Sequence, residues 1–213
     1  MNPRGTVAKT PRKTRALILR MTHYVLLAAG LFGLAYAGYV IADAHAYQAI
    51  EQSKFEGVSP REQRPPVIEG SAIGEIEVPR LGLKAIFVQG DSPRVLRRAV
   101  GHISGTALPG ELGNIVLTGH RDSFFRPLRN IRQGDAITLK TPDGDFQYQV
   151  ESTAVVLPND IQVLQPSSEQ TLTLITCFPF YYVGPAPNRF IVRARQIGRL
   201  PARSPSAEAS VPF

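Results

Sequence analysis

The chain has 213 residues, 43% of them hydrophobic and 19% charged, which suits one packed domain with appendages and excludes wholesale disorder. One cysteine excludes an internal disulfide framework, a CxxC redox pair and a thiolate-rich metal site, and four histidines with no HxxxH or HExxH spacing leave little for a metal. The net charge of +7 is unevenly placed: residues 1–23 hold six basic side chains and no acid, whereas residues 71–200 hold 14 basic against 11 acidic ones. A nucleic-acid-binding domain carries its basic charge on the folded part, so that class is disfavoured.

From the N-terminus, residues 1–16 read as a disordered basic tail. Tyr24 to Ala42 is a stretch of 19 residues without charge, long enough to cross a hydrocarbon core of roughly 30 Å as a helix. Its small residues (Ala28, Ala29, Gly30, Gly33 and others) suit a membrane helix and make a weak one in water. Tyr24 and Tyr39 lie near its ends, where aromatic rings favour the interface. A transmembrane helix over residues 17–43 follows, and the preceding basic block holds the N-terminus in the cytoplasm and sends the rest across. Two other readings compete. One is a cleaved signal peptide, for which Ala42-Asp43-Ala44 is a marginal site; the other is a buried soluble helix.

Residues 44–71 read as a juxtamembrane helix and a linker marked by Pro60, Pro65 and Pro66. Residues 72–200 form the folded domain, and residues 201–213 a disordered Pro/Ser/Ala tail. Inside the domain, short apolar runs alternate with turn residues. They are Ile73 to Val78, Leu83 to Val88, Asn114 to Thr118, Ala136 to Lys140, Phe146 to Val156, Thr171 to Cys177 and Arg189 to Arg195. In the fifth run Phe146, Tyr148 and Val150 share one face by period two. Short strands spaced by Gly/Pro turns predict an all-β barrel or sandwich. Helices are few, with a turn or two expected at Pro93 to Ala99 and at Phe125 to Asn130.

Cys177 ends an apolar β run, and the Pro- and Gly-containing loop after it leaves that strand end near the surface. Arg189 begins the next strand twelve residues on. Two strands joined by such a loop are natural antiparallel neighbours, which sets a guanidinium close to the sulfur. A cation there favours the thiolate, and its fixed N–H donors can stabilise an oxyanion. His120 follows the strand NIVLT and can share a proton with the cysteine, first protonating a departing amine. His102, in AVGHISG, is a competing candidate that period and context do not separate from His120. The bland alternatives are a buried inert Cys177 and a surface His120.

The stretch TLTLITCFPF with Arg189 after it, the upstream LTGHRDSFF, and the leading IGEIEVPRLGL and GHISGTALPGELGN together resemble the sortase transpeptidase family, most closely its class D branch. The resemblance covers Ala72 to Gln196, and the 57-residue spacing from His120 to Cys177 agrees with it. It implies an all-β fold, an eight-stranded β-barrel with short helices behind a single N-terminal transmembrane helix. It also implies a membrane-anchored enzyme with its catalytic domain outside the cytoplasm, extracellular or periplasmic. By the same resemblance Cys177 is the nucleophile that attacks the Thr–Gly amide of an LPxTG-like sorting signal. His120 is the general acid and then base, and Arg189 holds the substrate backbone or the oxyanion. The partners are C-terminal sorting signals of exported proteins and an amine of a cell-wall precursor or a pilin lysine. No cofactor is required for this chemistry.

Weaker expectations surround that trio. Thr176, Phe178, Phe180, Tyr181 and Tyr182 either line a substrate groove or pack the barrel rim. Asp122 and Ser123 either orient His120 or cap a short helix. The resemblance moves His102 to a structural or groove-lining place behind the site. Arg121, Arg126, Arg129 and Arg132 read as a solvated basic face. Two alternative functions remain beside the transpeptidase: a hydrolytic cysteine endopeptidase of the same fold, and a non-catalytic extracytoplasmic β-barrel that binds a partner.

Overall fold

The computed structural model describes residues 12–56, 68–182 and 184–201. The chain divides into two units, Met1–Asp43 and Ala44–Phe213. Helix α1 runs over Arg12–Glu56, and within it Arg20–Gln52 is long and apolar enough to cross a membrane. Val25, Leu26, Leu31, Phe32 and Leu34 all lie exposed on it. A helix stretch whose apolar side chains are exposed all round suits a lipid environment and is unsuited to water. The helix begins at Arg12, inside the stretch expected to be disordered, and it continues through the juxtamembrane segment to Glu56. Residues 1–11 of the tail, 57–67 of the linker and 202–213 of the C-terminal tail lie outside the described residues.

The second unit holds eight strands: β1 Ala72–Val78, β2 Leu83–Gln89, β3 Val100–His102, β4 Asn114–Thr118, β5 Ala136–Thr141, β6 Gly144–Val156, β7 Thr171–Phe178 and β8 Asn188–Leu200. They close into a barrel in the order β1-β2-β3-β4-β7-β8-β6-β5. Two of the pairings, β2 with β3 and β4 with β7, are parallel, and parallel neighbours need a crossover. The first crossover carries the short helix α2 Pro93–Leu96, capped by the Ser92 hydroxyl. The second carries the whole β5–β6 hairpin. Neither β3 nor the 3-10 turns Pro79–Leu81 and Ile161–Leu164 follows from the sequence pattern, because each is only three or four residues long.

Strand alternation fills the barrel. Phe146, Tyr148 and Val150 of β6 point inward, as period two predicts. β4 and β7 behave differently: Asn114 to Leu117 and Leu172 to Thr176 are buried without a break. Leu117 and Leu174 belong to the interior cluster. Val116, Ile175 and Ile191 form a second cluster on the outer face, packed with Ile103, Val156, Val163 and Leu164. The outer surface of β4, β7 and β8 is therefore an apolar platform covered by the β6–β7 connection. At the end of α1 in this unit, Gln48 donates to Arg98 O at 2.6 Å and accepts from Ile86 N at 2.7 Å. It thereby takes a β2 N–H one residue before the pairing with β3 begins at Phe87.

His102 of β3 is 2% exposed and sits opposite Leu117 of β4. Its Nδ1 lies 2.9 Å from Gln89 Oε1, and its Nε2 lies 2.9 Å from Ala107 O and 3.0 Å from Thr106 Oγ1. Burial pushes its pKa below the usual histidine value, so the folded state prefers the neutral ring. The unfolded chain then binds more protons as pH falls, and folding stability drops through the range below about 6.5. His102→Gln is expected to flatten the decline in the denaturant midpoint between about pH 7.5 and about pH 5; an unchanged slope would place the acid sensitivity elsewhere. The close approach at the β1 bulge gives a second test. A Cβ at Gly74 would overlap Lys140 O and come within 2.6 Å of the Phe87 ring. Gly74→Ala should cost about 1–3 kcal/mol, read as a lower thermal midpoint.

Candidate active site

The site is assembled by β7 and its two neighbours. In the antiparallel β7–β8 ladder, Cys177 is the direct register partner of Arg189. Side chains of directly opposed residues leave the sheet on the same face with Cβ atoms about 4.5–5.5 Å apart. Cys177 shares its face with Ile175, and Arg189 shares its face with Ile191, both members of the outer platform. The sulfur thus stands at the end of an apolar strip, half-buried. Arg189 is half-buried, and its Nη1 donates to Asn188 O at 3.1 Å and to Ala186 O at 3.4 Å.

His120 comes from the other side of β7. The parallel β4–β7 register pairs Thr118 with Ile175, and two residues further along each strand stand His120 and Cys177. The ladder is carried past its end by Gly119 N, which donates to Ile175 O at 3.1 Å, and by Thr176 Oγ1, which donates to Gly119 O at 2.7 Å. Gly119 has no room for a side chain, since a Cβ would lie 2.9 Å from the Phe125 ring. That ring packs under the turn, and Phe125 N donates to His120 O at 3.1 Å. The turn therefore presents an exposed His120 from a fixed backbone. The arrangement puts an acid–base group, a thiol and a guanidinium on adjacent strand ends, which suits acyl transfer.

The flanking residues fall into distinct places. Thr176 is buried, and its hydroxyl is engaged with Gly119 rather than turned toward the platform. Phe178, Phe180 and Phe190 form a ring cluster with centroids 5.3–6.2 Å apart, and Phe180 and Phe190 pack against the interior. Tyr181 and Tyr182 are exposed, with the guanidinium carbons of Arg129 and Arg121 lying 5.7 and 5.9 Å over their rings. Asp122 is exposed and stands 3.5 Å from Arg121 Nε. The 3-10 turn Arg126–Asn130 starts at Phe125 without a side-chain cap, so neither Asp122 nor Ser123 caps it. His102 stands opposite Leu117, three residues before His120 along β4. No group of three or more His, Cys, Asp or Glu able to hold a metal occurs among the described residues.

Two residues carry more of the site than the sequence suggests. Arg121 is not part of a solvated face: it is 7% exposed, and its guanidinium donates to the carbonyls of Pro179, Tyr182 and Gly184. Asn114 is buried at the start of β4. Its Nδ2 donates to Val163 O at 3.0 Å and Gln165 O at 3.3 Å, and its Oδ1 accepts from Thr173 Oγ1 at 2.8 Å. It holds the β6–β7 connection, with Val163 and Leu164, down on the platform. A polar residue heading the apolar run Ile115 to Leu117 is the one sequence mark that sets Asn114 apart.

A sortase domain model matches residues 76–197 of the chain. Sortase D of Bacillus subtilis (strain 168) is 30% identical over 191 residues, which is 81% of this chain and 96% of that protein. The structure of a sortase D5 transpeptidase from Clostridium perfringens superposes with a TM-score of 0.65 at 28% identity, over 74% of this chain and 99% of the other. Sortase E from Streptomyces avermitilis gives a TM-score of 0.55 at 27% identity, over 63% of this chain and 93% of that one. The domain match, the full-length relative and the shared closed barrel place this chain in the sortase family of cysteine transpeptidases, with class D enzymes among its relatives.

Proposed function

We propose that the protein is a membrane-anchored transpeptidase that cleaves an LPxTG-like sorting signal through a thioester on Cys177. The observation that carries this reading is the register pairing of Cys177 with Arg189, with His120 two residues beyond the end of β4 on the other side of β7. The scissile carbonyl of the signal meets the half-buried sulfur near the end of β7, beside the exposed His120. In the first step the thiolate forms a bond to the Thr carbonyl carbon. The oxygen of the tetrahedral intermediate takes its negative charge beside the Arg189 guanidinium, a donor already oriented by loop carbonyls. The C–N bond to Gly then breaks as the His120 imidazolium gives its proton to the departing amine.

The resulting thioester is resolved by an amine of a cell-wall precursor or a pilin. Neutral His120 takes a proton from the attacking nitrogen, a new amide forms, and the C–S bond breaks to restore the thiolate. With the basic N-terminal block in the cytoplasm, α1 crosses the membrane, and the barrel works on the extracytoplasmic side, where exported substrates pass.

The reading is tested with the full chain in detergent micelles, LPxTG-like peptides and a small amine acceptor. Wild-type protein is expected to give the ligated product and a thioester adduct on Cys177 by mass spectrometry, both absent from Cys177→Ala at unchanged circular dichroism. His120→Ala and Arg189→Ala should each lower turnover by at least ~100-fold, through loss of proton transfer or of an oxyanion donor. Cleavage by a folded Cys177→Ala protein would sink the proposal. Free acid as the sole product in the presence of amine would make the protein a hydrolytic endopeptidase instead.

A further inference from the structure

The loop that joins the sulfur-bearing strand to Arg189 is gripped by a second arginine. Arg121, the residue after His120, sends Nη1 to Pro179 O at 3.1 Å and Nη2 to Tyr182 O at 2.5 Å and Gly184 O at 3.1 Å. Its guanidinium carbon lies over the Tyr182 ring at 5.9 Å. A planar guanidinium holds its donors in a fixed fork, so three carbonyls on one fork are fixed relative to each other. Burying that charge at 7% exposure is costly, and the neighbouring carboxylate, Asp122, is exposed. A side chain serving only solubility would stay in water. Further along the same loop, Arg189 Nη1 donates to Ala186 O and Asn188 O. The two guanidiniums thus divide the carbonyls of one connection, Arg121 taking the first half and Arg189 the second.

We infer that Arg121 is a positioning residue for the reaction. By fixing Pro179, Tyr182 and Gly184 it sets the place of the Ala186 carbonyl, and with it the direction in which Arg189 presents its remaining donors to the carbonyl at Cys177. Its backbone belongs to the turn that carries His120, a turn held by its own backbone bond from Phe125 N to His120 O, so the side chain acts on the loop and on Arg189 alone. The inference rests on the role proposed above for Arg189.

The test is a double-mutant cycle in the full chain in detergent micelles, with an LPxTG-like peptide and a small amine. Arg121→Lys keeps the charge but cannot span three carbonyls; Arg121→Met keeps the apolar length and removes the charge. Both are expected to lower kcat by about 10- to 30-fold while the donor-peptide KM stays within about threefold. Neither should add to Arg189→Ala, so the double variants should match Arg189→Ala alone within about threefold. Multiplied losses in the double variants would overturn the inference while leaving the Arg189 role intact. So would an Arg121→Lys protein with wild-type kcat. Loss of the β-type circular dichroism in both single variants would assign Arg121 to folding and overturn it too. A wild-type rate for Arg189→Ala beside an inactive Cys177→Ala would remove the Arg189 role itself, and the inference with it.

Discussion

The position of β7 between β4 and β8 is the constraint from which the site follows. A strand in a closed barrel has two hydrogen-bonded neighbours, and here one is parallel and the other antiparallel. The antiparallel ladder pairs Cys177 with Arg189, and the parallel ladder brings the end of β4 alongside. A slip of one residue would turn every side chain of β7 to the opposite face. Leu172 and Leu174 would then leave the interior, and Thr173 and Cys177 would enter it. Polar pins hold the same register: Thr173 to Asn114 near the start of the strand and Thr176 to the Gly119 carbonyl at its end. The alignment of the thiol, guanidinium and imidazole is thus tied to the register that fills the core.

From Leu172 to Thr176, β7 is buried on both faces. The outward face of a strand in a small barrel ordinarily carries polar residues, as β6 does at Gln147, Gln149 and Glu151. The outer face near Cys177 instead carries Val116, Ile175 and Ile191, covered by a connection that Asn114 fastens through two carbonyls. The strip is closed over by that connection, and the half-buried sulfur stands where it ends. Ile175 and Cys177 share β7, so their spacing is set by the 3.3 Å or so per residue of a β-strand rather than by loop conformation.

Much of this was legible in the sequence, and what was hidden had physical reasons. Seven of the strands announce themselves because they are five residues or longer and bounded by Gly, Pro or Asp. β3 does not, because Val-Gly-His is too short to show a period, so the eighth strand was expected only from the family resemblance. Cys177, Arg189 and His120 could be singled out because each lies at a strand end, where chain order and short loops predict neighbours. The environment of Arg121 could not. A basic residue beside an aspartate in a turn looks solvated, and the carbonyls it bonds lie 58 to 63 residues further along the chain. Asn114 shows the same limit, since the carbonyls it fastens are 49 and 51 residues away. Local pattern reports which face a side chain takes, whereas the satisfaction of a buried polar group depends on the closed topology.

These two polar residues also show how the barrel divides its demands. An apolar residue in place of a buried cation can leave a fold as stable or more so, which makes burial of Arg121 weak evidence for stability as such. What the guanidinium adds is direction: three carbonyls of a Pro- and Gly-containing loop are fixed to one planar group. Asn114 does the equivalent for the β6–β7 connection at the other end of the platform. Strands alone align the reacting groups, but a strand end is where the ladder stops, and the last side chains there need support from the connections. Placing a buried fork at one connection and a buried amide at the other extends the rigidity of the barrel beyond its hydrogen-bonded rows. The Cys177 sulfur then lies between two connections that are both tied to β4 or to the turn after it, so β4 and that turn, which carries His120, frame the two sides of the site.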